Sequence, residues 1–198
     1  MSISLQKGQK ISLTKDNSSL DKIILGLGWD QASEEKSGFF SMLGKKANID
    51  CDATAMLLQN GKMIDKKDIV YFGNLKHYTN SVRHTGDNLT GEGDGDDEQI
   101  IVELKKVPQN YDKIVIVVNI FKAKDRKQHF GMIKNAFIRL IDTKTNKEMC
   151  RYNLTDDYSG CTALIFGEVY RHNEEWKFNA IGQGTTDDGI GELAARYK

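Results

Sequence analysis

Hydrophobic and polar positions alternate in the segment from Lys22 to Trp29. Every second residue from Ile23 onward is large and apolar, whereas Gly26 and Gly28 stand on the opposite side of the extended chain. This period of two predicts a β-strand with one buried face. The two glycines leave the other face flat, so another backbone or a ligand can approach it closely.

Similar short runs recur along the chain between turn residues. The other predicted strands are 53–58, 69–72, 100–104, 114–121, 136–141, 149–154, 163–170 and 176–181, with one more ending near His84. Asn60-Gly61 predicts a type I′ hairpin turn between 53–58 and Met63-Ile64, and the polar stretch 171–175 predicts a second hairpin. The run 114–118 is apolar at every position, so we expect a central strand covered on both faces.

Helical signals are confined to Asp188–Tyr197 and a turn near 124–129. Many short strands with almost no helix predict an all-β fold, a β-sandwich of two packed, mostly antiparallel sheets with short helical segments. Pro108 falls in a loop between two predicted strands, and there is no repeat period. We therefore predict a single domain over residues 1–198.

Composition narrows the class of protein further. Apolar residues make up 39% and charged residues 28%, which is typical of a globular chain, and the net charge of zero gives no indication of a nucleic-acid partner. The N-terminus lacks the apolar core of a signal peptide, and no apolar run approaches the length of a transmembrane segment. Cys51, Cys150 and Cys161 show no paired spacing, so we expect reduced, mostly buried thiols in a cytoplasmic protein.

The balanced net charge conceals one acidic loop, residues 86–98. It holds six of the 28 acidic residues, no basic residue and four glycines. Carboxylates this close repel one another unless a cation lies among them, and a glycine-rich loop with many oxygen donors favours Ca²⁺ over Mg²⁺. The spacing differs from that of an EF-hand, and the acids would repel a phosphate. The alternative is a solvated, mobile charge run.

Three further acidic residues extend this hypothesis. Asp50 and Asp52 stand two residues apart at the start of a predicted strand, so their carboxylates lie on the same side of the chain. Asp30 closes the segment Gly26-Leu27-Gly28-Trp29-Asp30. An ordinary strand start explains each of these patterns equally well.

Taken together, these segments resemble the TerD family of bacterial tellurium-resistance and calcium-binding stress proteins. The resemblance covers essentially the whole chain and rests on residues 5–9, 26–30, 50–53, 84–98, 135–139 and 167–178. It implies a β-sandwich with calcium in its loops, a cytoplasmic location, a role in stress responses that include tellurite, and other stress or tellurite-resistance proteins as partners. The metal ligands that carry over are Asp30, Asp50, Asp52, Asp87, Asn88, Glu92, Asp94, Asp96, Asp97 and Glu98. We place Asp50, Asp52, Asp87, Asn88, Asp96 and Glu98 foremost among them, and the acid count accommodates two ions.

Two departures from the family pattern bear on function. Cys51 stands between the paired aspartates where leucine is common, and we expect a small buried hydrophobe in preference to a reactive thiol. The connection 31–48 is longer than in many members and carries Phe39-Phe40 beside lysines. It could contact a membrane surface or a partner, but we expect it to fold over the edge of the sandwich.

The function predicted from the sequence is a non-enzymatic Ca²⁺-binding module whose ordered loops present a partner-binding surface. The alternative is a Ca²⁺-dependent carbohydrate- or small-ligand-binding module. A hydrolase with two carboxylates would have to draw on Glu103, Glu168 and Glu192, whose spacing implies no common site.

Overall fold

Two six-stranded sheets make up the architecture. The computed structural model describes residues 2–31, 49–86 and 95–198, with only the backbone of residue 31. The strands in these ranges are β1 Ile3–Leu5, β2 Lys10–Ser12, β3 Lys22–Gln31, β4 Cys51–Leu58, β5 Ile69–Val70, β6 Val82–His84, β7 Glu98–Glu103, β8 Lys113–Ile120, β9 Ile133–Asp142, β10 Lys147–Asn153, β11 Ala163–His172 and β12 Glu175–Thr185. Two short helices, α1 Ala123–Arg126 and α2 Ile190–Ala195, accompany them.

The strand order and the strand pairing define the two sheets of the sandwich. The first sheet runs β1-β10-β9-β3-β7-β6 and the second runs β2-β12-β11-β8-β4-β5. Among the described strands, β1 and β10 form the only parallel pair, and the other pairs are antiparallel. The predicted β-sandwich of two mostly antiparallel sheets is therefore confirmed.

The prediction of a central, doubly covered strand is also confirmed. β8 lies between β11 and β4, and every residue from Ile114 to Ile120 is buried. Its inner face belongs to the main core between the sheets. On the outer face, Val115 and Val117 share a second cluster with Leu193 and Ala194 of α2. This helix explains why β8 is apolar at consecutive positions in a mostly antiparallel fold.

Both predicted turns form, but one flanking strand does not. Asn60 and Gly61 adopt φ angles of 52° and 77°, as a type I′ turn requires. Beyond the Gln59–Lys62 bridge, however, the chain leaves the hairpin, because the Met63 amide donates to the carbonyl of Tyr197. The prediction of a strand at Met63-Ile64 was wrong for this reason.

Other differences are smaller. β1 and β2 were not predicted, since three residues are too few to show a period of two. The helix predicted over 188–197 is confined to Ile190–Ala195. The connection proposed to cover the sandwich edge lies, apart from residue 31, outside the described residues.

Candidate metal centre

The antiparallel register brings the predicted acidic positions to one end of the sandwich. In the first sheet, Leu27 of β3 lies opposite Glu98 of β7, so the end of β3 meets the start of β7. In the second sheet, Cys51 of β4 lies opposite Ile120 of β8, so the start of β4 meets the end of β8. We call this region the acidic end. It carries the described members of the predicted ligand set, Asp30, Asp50, Asp52, Asp96, Asp97 and Glu98.

Glu98 joins the two sheets. Its side chain is buried, and Oε2 accepts a hydrogen bond of 2.6 Å from the backbone amide of Ala53 in β4. The same oxygen lies 3.5 Å from Nε2 of the buried His84. Because His84 Nδ1 accepts from the Gly86 amide, a neutral ring carries its proton on Nε2, facing the carboxylate. Glu98 therefore joins β7 to β4 by a hydrogen bond, and its carboxylate lies beside His84 of β6.

Asp97 fastens the chain entering β7 to the end of β3. Its amide donates to the Leu27 carbonyl at 2.7 Å, and its Oδ2 accepts from the Trp29 amide at 2.7 Å. Burial raises the pKa of the Asp97 carboxyl, the bond from Trp29 opposes this, and the charges of Asp30 and Asp96 raise the pKa further.

Asp96 is held by side-chain donors on both oxygens. Arg139 Nε donates to Oδ1 at 2.6 Å, and Gln99 Nε2 donates to Oδ2 at 3.0 Å. The hydrogen bond to Asp96 raises the pKa of Arg139. The carboxylate lies over Gly26, where a Cβ atom would overlap it.

Gly28 is covered in a similar way. A Cβ atom there would meet the ring of Phe137 and would lie 2.9 Å from the carbonyl oxygen of Gly95. The flat face predicted from the two glycines is thus approached by the Asp96 side chain at Gly26 and by the Phe137 ring and the Gly95 backbone at Gly28.

The three remaining described acids have different surroundings. Asp30 is exposed and accepts a 2.7 Å hydrogen bond from Asn135. Asp50 Oδ2 lies 3.9 Å from Arg126 Nη1. Asp52 is buried, and its Oδ2 accepts a long, 3.5 Å hydrogen bond from Asn119 Nδ2.

Cys51 stands between Asp50 and Asp52 at the start of β4. The thiol is fully buried in the core between the sheets, as predicted, and burial raises its pKa well above the ordinary value. Four carboxylates raise the pKa further: Asp52, Glu98, Asp50 and Asp97. A thiol held in this protonated form is a poor nucleophile and a poor metal ligand.

The donor set at this end is chemically suited to Ca²⁺, because it consists of carboxylate and amide oxygens. Within residues 2–31, 49–86 and 95–198, no three His, Cys, Asp or Glu side chains form a group arranged to hold a metal ion. Four predicted ligands lie outside the described residues: Asp87, Asn88, Glu92 and Asp94. The ligand prediction is therefore untested.

Sequence reasoning missed several partners of these acids. Asn119 was not predicted as a partner because it lies in an apolar strand, although it is the only polar residue between Ile114 and Ile120. That isolated polar residue was an available signal, because a buried amide requires a hydrogen-bond partner. Arg139, Asn135 and Arg126 had no comparable local signal, since their pairing depends on the register of β9 and on the position of α1.

The three glutamates considered for hydrolysis lie on separate elements. Glu103 pairs with Lys106 at 2.7 Å, and Glu168 of β11 pairs with Lys113 at 2.7 Å. Glu192 of α2 accepts from the amide of Asp188, which precedes the helix. No helix in the described part of the chain is long and apolar enough to cross a membrane.

A family model described as the TerD domain matches residues 1–197. The chain belongs to the TerD domain family. The "Stress response protein SCP2" of Bacillus subtilis (strain 168) is 55% identical over 199 residues, which covers all of both chains. The "Tellurium resistance protein TerD" of Serratia marcescens is 46% identical, over 100% of this chain and 97% of that protein.

Solved structures agree at the level of the fold. A homologue of the telluride resistance protein TerD from Streptomyces coelicolor A3(2), SCO6318, superimposes with a TM-score of 0.61 at 18% identity. The match covers 85% of this chain and 92% of that one. The sandwich of this TerD-family chain is therefore shared with a solved relative.

Proposed function

We propose that this TerD-family protein is a non-enzymatic, cytoplasmic Ca²⁺-binding module of bacterial stress responses, including resistance to tellurite. The ligands are drawn from Asp50, Asp52 and Glu98 and from acids of the loop 86–98, because the described side chains do not form a complete site by themselves. The observation that carries the proposal is the 2.6 Å hydrogen bond from the Ala53 amide to Glu98, which joins the acidic segment at the start of β7 to the acidic segment at the start of β4. The names of two relatives, a stress response protein and a tellurium resistance protein, support the proposed role in stress responses and tellurite resistance.

In this proposal, calcium orders the loops at the acidic end and so completes a surface for other stress or tellurite-resistance proteins. Metal binding couples to folding when the ligands come from segments that the fold alone does not fix. The three cysteines are free thiols, which is in keeping with a reducing compartment.

Isothermal titration of the chelator-stripped protein with Ca²⁺, and with Mg²⁺ for comparison, tests the metal site. We expect one or two Ca²⁺ ions to bind, with clear selectivity over Mg²⁺. The double variant Asp52→Asn with Asp87→Asn should weaken binding at least tenfold. Asp16→Asn with Asp21→Asn is the matched control, because both side chains are exposed and lie before β3, away from the acidic end. No heat with Ca²⁺, or equal binding of Mg²⁺, would contradict the proposal.

Co-purification of a tagged protein from tellurite-treated cells, with and without chelator, tests the partner surface. A partner that is retained only with Ca²⁺, and lost in the Asp52/Asp87 variant, supports this part of the proposal. A partner set that is unchanged by chelator contradicts it.

One observation favours the second candidate, a Ca²⁺-dependent carbohydrate- or small-ligand-binding module. Phe72 and Phe121 are both partly exposed and line a cleft of about 290 Å³ that also includes Asp52 and Asn119. Exposed aromatic rings beside polar groups suit the apolar face of a sugar ring. A glycan array scanned with and without chelator separates this candidate from the first.

A further inference from the structure

A second cleft lies at the end of the sandwich opposite to the acidic end. It has a volume of about 550 Å³ and is bounded by the turn before β3, the turn after β7 and the tip of the β11–β12 hairpin. Its charged and aromatic lining consists of Lys15, Lys105, Arg171, Glu174, Glu175 and Trp176. This size falls within the range of small-molecule sites.

Arg171 is fixed by neutral groups. Its guanidinium carbon lies 4.3 Å from the centre of the Trp176 ring, Nη2 donates to the Val107 carbonyl at 2.6 Å, and Nε donates to the Tyr111 carbonyl at 3.2 Å. No carboxylate of the described residues lies within ion-pair distance, unlike the situation of Arg139, Arg151 and Arg196. Burial lowers the pKa of Arg171, as expected for a cation with no anionic partner.

The fixed geometry leaves part of the guanidinium available. The hydrogen bonds to Val107 and Tyr111 engage Nε and Nη2, so the N–H groups on Nη1 have no partner in the described part of the protein. A guanidinium that is oriented by stacking and by backbone carbonyls loses little further entropy when it binds a ligand.

The lysines add charge that is also uncompensated. Lys15 and Lys105 are exposed, and neither forms an ion pair within the described ranges. Of the two opposing carboxylates, Glu175 accepts from Ser12 and lies 3.9 Å from Lys177. Glu174 is the remaining acid. Three cations against two carboxylates, one of them beside Lys177, leave the lining of the cleft with a net positive charge, which favours an anion.

We propose that this cleft binds a small phosphorylated molecule, with its phosphate dianion on Arg171, Lys15 and Lys105. A planar guanidinium recognises phosphate oxygens in pairs, and lysines add point charges. The volume exceeds that of a bare phosphate ion, so we infer a phosphate monoester of a small metabolite and not inorganic phosphate.

This proposal is tested by titrating the protein, in chelator, with glycerol 3-phosphate and separately with inorganic phosphate. Binding is monitored by the NMR chemical shifts of amide and side-chain signals. Working in chelator makes the result independent of the calcium proposal. We expect saturable one-to-one binding of the ester, at least fivefold tighter than inorganic phosphate, with shifts at the Arg171 Nε–H and Trp176 indole signals. Equal affinity for both probes would contradict the assignment of the cleft to a phosphate monoester.

Matched variants separate a site from general charge attraction. Lys15→Ala with Lys105→Ala should weaken binding at least fivefold, whereas Lys62→Ala with Lys66→Ala should leave it within twofold. The second pair carries the same charge change on exposed lysines outside the cleft. Glu174→Gln should tighten binding by removing the opposing charge. Equal weakening in both lysine pairs, shifts confined to another surface, or no saturation would overturn the proposal.

Discussion

Glu98, in the first sheet, accepts a buried 2.6 Å hydrogen bond from the backbone amide of Ala53, in the second sheet. This bond crosses the sandwich at the acidic end, where β4 begins. One carboxylate thus positions the segment that carries Asp50 and Asp52 relative to the segment that carries Asp96 and Asp97.

The first prediction is that Glu98→Ala lowers the free energy of unfolding by about 1–3 kcal/mol, because it leaves the buried Ala53 amide without an acceptor. Urea unfolding in chelator measures this without any contribution from bound metal. Glu103→Ala is the control: it loses only surface ion pairs with Lys106 and Lys22, which are worth about 0–1 kcal/mol. Equal losses of unfolding free energy in the two variants would show that the hydrogen bond between the sheets contributes no more to stability than surface ion pairs do.

A second prediction concerns Gly26, which lies beneath the Asp96 carboxylate. Gly26→Ala should destabilise the protein by about 1–3 kcal/mol, because the added methyl group forces Asp96 away from Arg139. Gly191→Ala is the matched control, since a Cβ atom there meets nothing within 4 Å and the residue lies in α2. We expect this control to stabilise by up to about 1 kcal/mol. Thermal unfolding measures the change in stability of both variants. A change of the same sign in both would contradict the explanation.

The Gly26 contact also shows how far sequence could reach. The alternation around Gly26 predicted a strand with a flat face, and the structure confirms both features. What covers that face could not be predicted, because Asp96 lies in the segment before β7, which is distant in sequence from β3, and its position depends on the β3–β7 register. Local pattern fixes which face is open, and tertiary packing decides what occupies it.

The same limit explains the misses. Met63 looked like a strand residue, but its amide is bonded to Tyr197, near the other end of the chain. Asn119 was overlooked because its apolar neighbours dominate the local pattern, although it contacts Asp52. At the acidic end, residue type and clustering predicted which acids matter, whereas the pairing of Asp96 with Arg139 required the fold.

Third, stability should fall on acidification in a way that depends on His77. This side chain is fully buried; burial lowers its pKa below the ordinary value, and the neighbouring Asp68, 3.4 Å from Nε2, only partly opposes the shift. The unfolded chain therefore binds the proton more readily than the folded protein, so stability is complete above about pH 6.5 and declines as the pH falls below it.

The slope attributable to one histidine is at most about 1.4 kcal/mol per pH unit. His77→Gln should flatten the free energy of unfolding measured between pH 7 and pH 5, even where it lowers stability throughout. His172→Gln is the control, because that side chain is exposed. A slope that survives in His77→Gln would place the titrating group elsewhere.

Fourth, the β11–β12 turn should tolerate a stabilising substitution. Asn173 and Glu174 have φ angles of 50° and 65°, and the left-handed region is unfavourable for glutamate but not for glycine. Glu174→Gly should raise the free energy of unfolding by roughly 0.5–1 kcal/mol. Asn173→Gly should gain less, because asparagine already tolerates this conformation. Chemical unfolding of the two variants compares them, and an equal gain would contradict this explanation.

Last, calcium should stabilise the protein if it binds the folded state through acids that the unfolded chain cannot bring together. Free Ca²⁺ at about 100 times its dissociation constant adds about 2.7 kcal/mol. For a chain of this length the melting temperature should rise by roughly 5–10 °C. The Asp52→Asn/Asp87→Asn variant should lose this shift, while Asp16→Asn/Asp21→Asn keeps it, because only the first pair removes charge from the acidic end. A wild-type melting temperature that is indifferent to Ca²⁺ would mean that Glu98 and its neighbouring acids serve the packing of the two sheets and not a metal ion.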